Sequence, residues 1–425
     1  MHRTSLIHAI AHRSASAAGR TADFFRGAVM RPLAPVRTPA AQPQVANQKG
    51  RLFSLDVARF VAMVMMMQGH VLDALVRPEA LDITQFPWSA WHAIRGLTAP
   101  VFLMVSGAVH AFATKRHSDG AVRDDVLSKR LRWAFTIMGI GYLLVFPANR
   151  LWDIPFVPDH AWPIFTSVNI LQLTGATLIM FVLVAAGTRS VAQLGRRSVI
   201  TAGALLAAAP LATAIPWEHH LPLWVAAYLT PNTGSLFPIL PFSAYLFVGV
   251  GVGAYLARIP SDVRDRHIER YAWPVGVVIV AISMLMQYVL YVNGVAWSDL
   301  ESSTSAVLAL RRIGIVLVVF SATALIMRFL PRWRDVATSL STLSLHIYVV
   351  HLVLLFGTPW INGIGRTHAQ QFGLAEGAAI AAGIIATTIA LVVAYRRLQR
   401  LPLTPTAIVV VKGALVALMC YLLLV

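Results

Sequence analysis

Three ionisable residues stand in an otherwise apolar segment near the start of the chain. Asp56 and Arg59 are three residues apart, and His70 follows eleven residues after Arg59. On a helix, Asp56 and Arg59 share a face and can neutralise each other. Eleven residues make about three turns, so Arg59 and His70 face the same side, about 16 Å apart along the axis. One face thus carries a fixed cation at one end and a titratable base at the other, a pattern that suits acid–base chemistry.

Ionisable groups inside a membrane-spanning segment are costly, so each one is a functional candidate by default. The structural alternative for this segment is an interfacial ion pair followed by a histidine that packs between helices. Four methionines, Met63, Met65, Met66 and Met67, precede His70. We interpret them as flexible lining or core rather than as a metal site, and we predict no metal cofactor.

The composition indicates which elements position these residues. The chain has 425 residues, of which 57% are hydrophobic and 12% charged, whereas soluble domains are about one quarter charged. This excludes an ordinary cytosolic enzyme, a disordered chain and a disulfide-rich secreted scaffold, and it predicts an all-α, polytopic integral membrane protein. A spanning helix needs about 20 mostly apolar residues. About eleven such transmembrane helices are predicted: 53–75, 93–113, 132–148, 163–187, 198–216, 237–257, 271–293, 308–328, 338–357, 376–395 and 405–425.

The basic residues predict the orientation of these spans. Lys and Arg number 35 against 18 Asp and Glu, which gives a formal net charge of +17. Most of the basic residues fall in the N-terminal segment and in alternate loops, and cytoplasmic loops retain positive charge. We therefore predict a cytoplasmic N-terminus, and we expect a multi-pass protein of a bacterial cytoplasmic (inner) membrane. Because topology explains the charge, no nucleic-acid partner is expected.

The first 50 residues differ from the rest of the chain. Residues 1–50 are rich in Ala, Arg, Ser and Pro, and Asp23 is their single acid. An organellar transit peptide has a similar composition, but we favour a disordered, basic cytoplasmic tail. Residues 51–425 form the predicted transmembrane domain, with its core over 51–357. The single cysteine, Cys420, can form no internal disulfide.

Five segments, in order along the chain, form a set of short motifs. They are Ser54 to Arg59 with the Arg-x10-His spacing that ends at His70, Ile94 to Phe102 with Ser106 and Gly107, Asn169 to Leu173, Phe237 to Phe242 with Gly249, and Ser344 with Tyr348 and His351. The first segment resembles the first span of the transmembrane acyltransferase superfamily. The next three resemble motifs of its branch related to heparan-alpha-glucosaminide N-acetyltransferase, which is also related to the acyltransferase type three family. The last segment resembles the end of the acyltransferase core.

The resemblance implies transfer of an acyl group across the membrane. The donor would be cytoplasmic acyl-CoA, with acetyl-CoA as the first expectation, and the acceptor an extracytoplasmic glycan or a related hydroxyl or amine. A histidine would act as general base or as transient acyl carrier. In the wider superfamily this is the histidine of Arg-x10-His, here His70, whereas in the branch closer to the human enzyme it lies in the outer loop before the second span, where this chain has His92. We favour His70, with Asp56 and Arg59 in the same catalytic group, and the choice between the two histidines stays open.

Four polar residues are predicted to hold the donor. Arg130 and Arg132 end a basic loop and suit the phosphates of CoA, although an ordinary cytoplasmic anchor explains them too. Asn169 and Gln172 share a helix face, where they would hold the amide-rich pantetheine arm or bond to neighbouring helices.

Five further residues are predicted around the substrates. Tyr348 and His351 would form a hydrogen-bonded wall of the acyl-CoA tunnel, with simple core packing as the alternative. Arg95, Arg311 and Arg312 depart from the charge rule at the outer ends of spans. They are predicted to bind the acceptor, unless they extend towards the membrane surface.

A second class of function fits the same residues. Intramembrane Arg, His and Asp also serve proton-coupled transport, so the alternative is a secondary transporter of a sugar or lipid-linked substrate. Transporters often contain paired halves with matching broken helices, and the sequence shows no second copy of the Asp56–Arg59–His70 pattern. The expected partners are membrane lipid and the acceptor. The oligomeric state stays open, and a homodimer is one option.

Overall fold

The computed structural model describes residues 52–400, except for the side chains of 331–335, and isolated residues between 410 and 424. The predicted tail, 1–50, lies outside the described residues, and so does most of the predicted last span, 405–425.

Twelve helices of eight or more residues make up most of the described chain. They are α1 (Phe53–Leu75), α2 (Trp88–Arg95), α3 (Thr98–Phe112), α4 (Asp124–Leu144), α5 (Ile170–Ala186), α6 (Val191–Ala207), α7 (Ile239–Leu256), α8 (Arg264–Val292), α9 (Ala306–Phe329), α10 (Pro331–Ser341), α11 (Ser344–Phe356) and α12 (Leu374–Leu398). Shorter helices lie at Ala161–Thr166, Leu211–Ala214, Leu223–Ala226, Trp297–Leu300 and Ile364–Thr367, and 3-10 turns at Pro78–Ala80, Leu151–Phe156, Trp217–His219 and Pro231–Thr233. Over the described residues β-structure is limited to isolated bridges, so the all-α prediction is confirmed.

Seven helical segments of the described chain are long and apolar enough to cross a membrane: Phe53–Leu75, Trp88–Phe112, Val191–Ala214, Ile239–Leu256, Arg264–Val292, Ala306–Phe329 and Leu374–Leu398. The predicted spans at 163–187 and 338–357 correspond to shorter apolar helices, α5 and α11. The second of these is shorter because the chain breaks between α10 and α11. There the Thr342 hydroxyl donates to the Ser339 carbonyl at 2.6 Å, and such local bonds compete with the helical backbone.

Alternate helix ends meet at one end of the bundle, which we call the basic end. The start of α1 meets the start of α8 there, since Ser54 Oγ donates to Asp265 Oδ1 at 2.7 Å. The end of α9 also meets α8 there, since Arg328 pairs with Glu269 at 2.6 Å. The opposite end holds α2 and the loops that precede α5, α7, α9 and α12. The alternate basic loops of the sequence therefore share one end of the molecule.

Helix α7 packs against α3, α5 and α6 and approaches α3 closely. A Cβ at Gly249 would lie 2.0 Å from the Met104 carbonyl oxygen, and one at Gly253 would lie 2.5 Å from that of Ala108. Glycine is required at both positions because the two backbones touch there. The tight contact holds α3 against α7 and positions the residues that α3 contributes to the interior.

Candidate active site

The centre of the candidate site is a pair of histidines from two different helices. His70 Nδ1 of α1 lies 3.2 Å from His351 Nε2 of α11, and the rings stack with centroids 5.4 Å apart. His351 is fully buried, whereas His70 is half-buried. Tyr348 packs edge-on against His351 at 5.4 Å, and Phe356 packs edge-on against His70 at 6.2 Å. His351 therefore contacts His70 directly and Tyr348 packs against His351, while their role as a wall of the acyl-CoA tunnel stays a prediction.

The hydrogen bonds of this pair determine which ring nitrogens carry a proton. His351 Nδ1 lies 3.0 Å from the Ile347 carbonyl oxygen, which can only accept, so Nδ1 carries a proton. In a neutral imidazole the other nitrogen is then an acceptor, so His351 Nε2 accepts from His70 Nδ1–H. The remaining nitrogen of His70, Nε2, is left unprotonated with its lone pair available. The backbone carbonyl of α11 thus fixes His70 in the tautomer that a base or nucleophile needs.

Arg95 lies beside this pair and is held to α1. Its guanidinium forms an ion pair with Asp73 and lies 4.9 Å from the centre of the Trp91 ring. Trp91 in turn donates to Gln68 at 3.1 Å. A Cβ at position 69 would meet the Arg95 side chain, so Gly69 supplies the space that brings this cation next to His70.

His92 lies on the exposed side of α2, one turn before Arg95. Within the described chain its ring makes no hydrogen bond or ring contact. The structure therefore brings His70, and not His92, together with Arg95 and His351. The assignment between the two histidines stays a prediction.

The two adjacent arginines of α9 have separate surroundings. Arg311 pairs with Glu301 at 2.5 Å and donates to Gln287 at 2.9 Å. Partial burial raises the pKa of Glu301, but the hydrogen bonds from Arg311 and Gln287 and the charge of Arg311 outweigh it and hold that pKa below its usual value. Arg312 instead extends towards α2, where a Cβ at Gly96 would lie 3.0 Å from its Nη2. Arg311 is thus neutralised, and Arg312 is placed near the end of α2 that carries Arg95.

A second polar group lies at the basic end and consists of arginines. Arg130 of α4 is 6% exposed, donates to the His110 carbonyl at 2.7 Å and lies 5.1 Å from the centre of the Phe181 ring. Its Nη1 is buried and has no hydrogen-bond partner among the described residues. The charges of Arg130 and Arg59 both act on the His110 ring, so α1, α3 and α4 bring these groups together.

Arg116 extends the same group. It donates to the Gly120 and Thr188 carbonyls, each at 2.8 Å, and its charge acts on Arg130. In the part of the chain that the structure describes, no carboxylate forms an ion pair with Arg116 or Arg130. Buried charge of one sign is costly unless it is paired, so this cluster is suited to bind an anion.

The other predicted donor residues lie apart from that cluster. Gln172 is fully buried and packs against Gly141 of α4. Over residues 52–400, neither polar atom of its amide has a hydrogen-bond partner. Asn169 is half-buried at the start of α5, where its side chain makes no capping bond. Arg132 is exposed, away from Arg130.

Asp56, which was predicted in the catalytic group, links two helices. It accepts a hydrogen bond from the buried Ser341 hydroxyl at 2.8 Å, so it ties α1 to α10.

Sequence reasoning missed three members of these groups. His110 is an ionisable residue in a predicted span, and the rule that selected His70 would have selected it too. Arg116 and Asp73 gave no such signal, because both lie near span ends where charge is ordinary. Met63 and Met67 pack in an apolar core with Leu340, Ile347 and Val392, which agrees with their interpretation as core.

The comparisons with known proteins point to one family. The family model described as heparan-alpha-glucosaminide N-acetyltransferase, catalytic, matches residues 51–293, which is more than half of the chain. No curated protein matches this chain. The matched range contains His70, His92, Arg95 and the arginine cluster, whereas His351 and Arg312 lie beyond it.

Proposed function

Because this chain belongs to the heparan-alpha-glucosaminide N-acetyltransferase family by its match over 51–293, we propose that it transfers an acyl group from acyl-CoA to a glycan or a related hydroxyl or amine. The family and the long apolar helices make it a membrane-embedded acyltransferase. Acetyl is the acyl group we expect, and the donor would enter from the basic end. Since cytoplasmic loops retain positive charge, this end would face the cytoplasm and the histidine pair would face the other side.

The arginine cluster supports the donor assignment. CoA carries several phosphate charges, and Arg–phosphate pairs are among the stronger hydrogen bonds in proteins. Arg130 offers a buried, unpartnered Nη1, with Arg59 and Arg116 nearby as further cations. From Arg59 to His70 the face of α1 extends about 16 Å, along which the flexible pantetheine arm would lead the thioester towards the histidines. The unpartnered amide of Gln172 is a candidate hydrogen-bond partner for that arm.

The histidine pair supports the chemistry. In a direct transfer, the acceptor O–H or N–H would give its proton to His70 Nε2 while the acceptor atom attacks the thioester carbonyl. The carbon–sulfur bond then breaks, and the CoA thiolate takes the proton back from the His70 imidazolium. His351 would stabilise that imidazolium by accepting the hydrogen bond from Nδ1–H, as the aspartate carboxylate of a catalytic triad does. In a two-step route, Nε2 itself would attack the thioester carbonyl and expel the CoA thiolate. The acceptor would then attack the acyl-imidazole, the carbon–nitrogen bond would break, and the acceptor proton would pass to the thiolate, so both routes use the same atom of His70.

The observation that carries this proposal is the hydrogen-bonded order from the Ile347 carbonyl through His351 to His70, which leaves Nε2 unprotonated. The test is to load purified protein with acetyl-CoA labelled in the acetyl group, and to follow label into protein or into added amino sugars. Wild type should release CoA and transfer label, and His70→Ala should do neither. Equal behaviour of wild type and His70→Ala would overturn the assignment of His70, and a dead His92→Ala beside an active His70→Ala would reassign the role to His92.

The transporter alternative predicts a different result in the same preparation. Proteoliposomes that move protons with a sugar, and that neither bind acetyl-CoA nor release CoA, would contradict acyl transfer.

A further inference from the structure

A groove lies on the outer face of the bundle, apart from the histidine pair and the arginine cluster. It lies between α6 and α7 near the basic end and has a volume of about 310 Å³. Its floor consists of Gly195, Gly251 and Ala254. Gly195 and Gly251 add no side chain to this floor and let α6 and α7 approach closely, because a Cβ at Gly251 would lie 2.7 Å from a Val199 methyl group and one at Gly195 would lie 2.9 Å from the Ala254 Cβ.

One wall of the groove is held in place. Tyr255 lines it, and its hydroxyl lies 2.9 Å from His267 Nε2. The His267 ring in turn packs against Tyr271, with centroids 4.5 Å apart. The far side is apolar, with Val199 and Ile200 deeper along α6. This shape suits an alkyl chain that lies along the helices.

Two arginines lie at the end of the groove nearest the basic end. Arg196 and Arg258 both line it and are exposed. Over the described residues, neither guanidinium has a hydrogen-bond or ion-pair partner. Two nearby arginines do form hydrogen bonds. Arg197 donates to the Gly187 carbonyl at 2.6 Å, and Arg264 donates to the Ile259 carbonyl at 2.9 Å. The two groove arginines are therefore available for an external anion.

We propose that this groove binds one anionic phospholipid. An acyl chain lies on Gly195, Gly251 and Ala254, and the phosphodiester pairs with Arg196 and Arg258. Charge complementarity selects the occupant, because an apolar groove that ends in two unpaired cations matches a molecule with a long alkyl chain and a net negative headgroup. A zwitterionic phospholipid carries its own cation beside the phosphate and gains less from the pair.

The test compares lipids with identical acyl chains. Purified full-length protein in detergent is titrated with phosphatidylglycerol or with phosphatidylcholine, and bound lipids are counted by native mass spectrometry. We expect one phosphatidylglycerol to bind well before further lipids. Each basic residue near an anionic lipid contributes about fivefold, so Arg196→Gln with Arg258→Gln should weaken this binding about 30-fold.

Two further variants make the test decisive. Arg397→Gln with Arg400→Gln removes the same charge from the same end of the bundle, away from the groove, and should leave the affinity within about twofold. Ala192→Phe fills the groove from an exposed position and should displace the lipid while both groove arginines remain. Equal losses in the two double variants would show diffuse attraction and overturn the site, as would full binding in Ala192→Phe or equal affinity for the two lipids.

Discussion

The histidine pair and the arginine cluster lie at different depths of one bundle and differ in whether their charge can change. The pair is made of two groups that can gain or lose a proton, and its hydrogen bonds end in a backbone carbonyl that fixes their order. The cluster is made of permanent cations, one of them with a buried, unpartnered Nη1. Proton transfer needs a group whose charge can change, whereas holding a phosphate needs a charge that stays. Under the proposed function, the first region would carry out the chemistry and the second would bind the donor.

The largest effect is expected when the proposed base alone is removed. His70→Ala should lower the rate of acetyl transfer by about 10³-fold, within the range typical of a general base. Its affinity for acetyl-CoA should stay within about twofold, because the phosphates bind elsewhere. Turnover and equilibrium binding of acetyl-CoA to the same preparation check both. A parallel loss of donor affinity would show that the two regions are not separate.

Loss of the buried cation should give the reverse pattern. Arg130→Gln should raise KM for acetyl-CoA about 10- to 150-fold, because a hydrogen bond to a charged group contributes about 1.5–3 kcal/mol. The same variant should match wild type with acetyl-pantetheine, which has no phosphate for the arginine to bind.

Arg132→Gln is the matched control for Arg130→Gln, since Arg132 is exposed on the same helix and should leave KM unchanged. An equal defect of Arg130→Gln with both donors would mean that Arg130 acts only through its bond to the His110 carbonyl.

Loss of the second histidine should have a smaller effect than loss of the first. We expect His351→Leu to lower kcat about tenfold with little change in KM, because one hydrogen bond that positions His70 contributes about 1.4 kcal/mol. His351→Gln keeps an acceptor for His70 Nδ1–H and should retain more activity than His351→Leu. Similar rates for these two variants would contradict the proposal that His351 positions His70.

The smallest effect concerns the ion pair of Arg311 and Glu301. The folded-state pKa of Glu301 lies below its usual value, so the pair stabilises the protein above about pH 4.3 and loses this contribution as the pH falls through the depressed pKa. Because the pair is partly exposed, the contribution should be about 1 kcal/mol or less. Glu301→Gln should therefore lower Tm slightly at pH 7, and the difference from wild type should shrink at and below about pH 4. A difference that grows with acid would contradict the sign of this coupling.

The helices were predicted better than their ends and their neighbours. Long apolar runs such as Phe53–Leu75 and Ala306–Phe329 are read from local composition, because the bilayer demands that length wherever the run occurs. The break between α10 and α11 was missed, since the bond from Thr342 to Ser339 depends on side-chain geometry that hydropathy does not report.

The sequence by itself determined that this is a helical membrane protein, that its basic loops alternate, and that Asp56, Arg59 and His70 occupy an apolar helix. These follow from composition and spacing, which act locally. Only the tertiary structure decided that His351 orders the protons of His70, that Arg130 lies buried while Arg132 is exposed, and that Arg311 pairs with Glu301 while Arg312 extends towards α2. These depend on which helices meet, and contacts such as that of His70 with His351 join residues 281 positions apart, where no local pattern can record them.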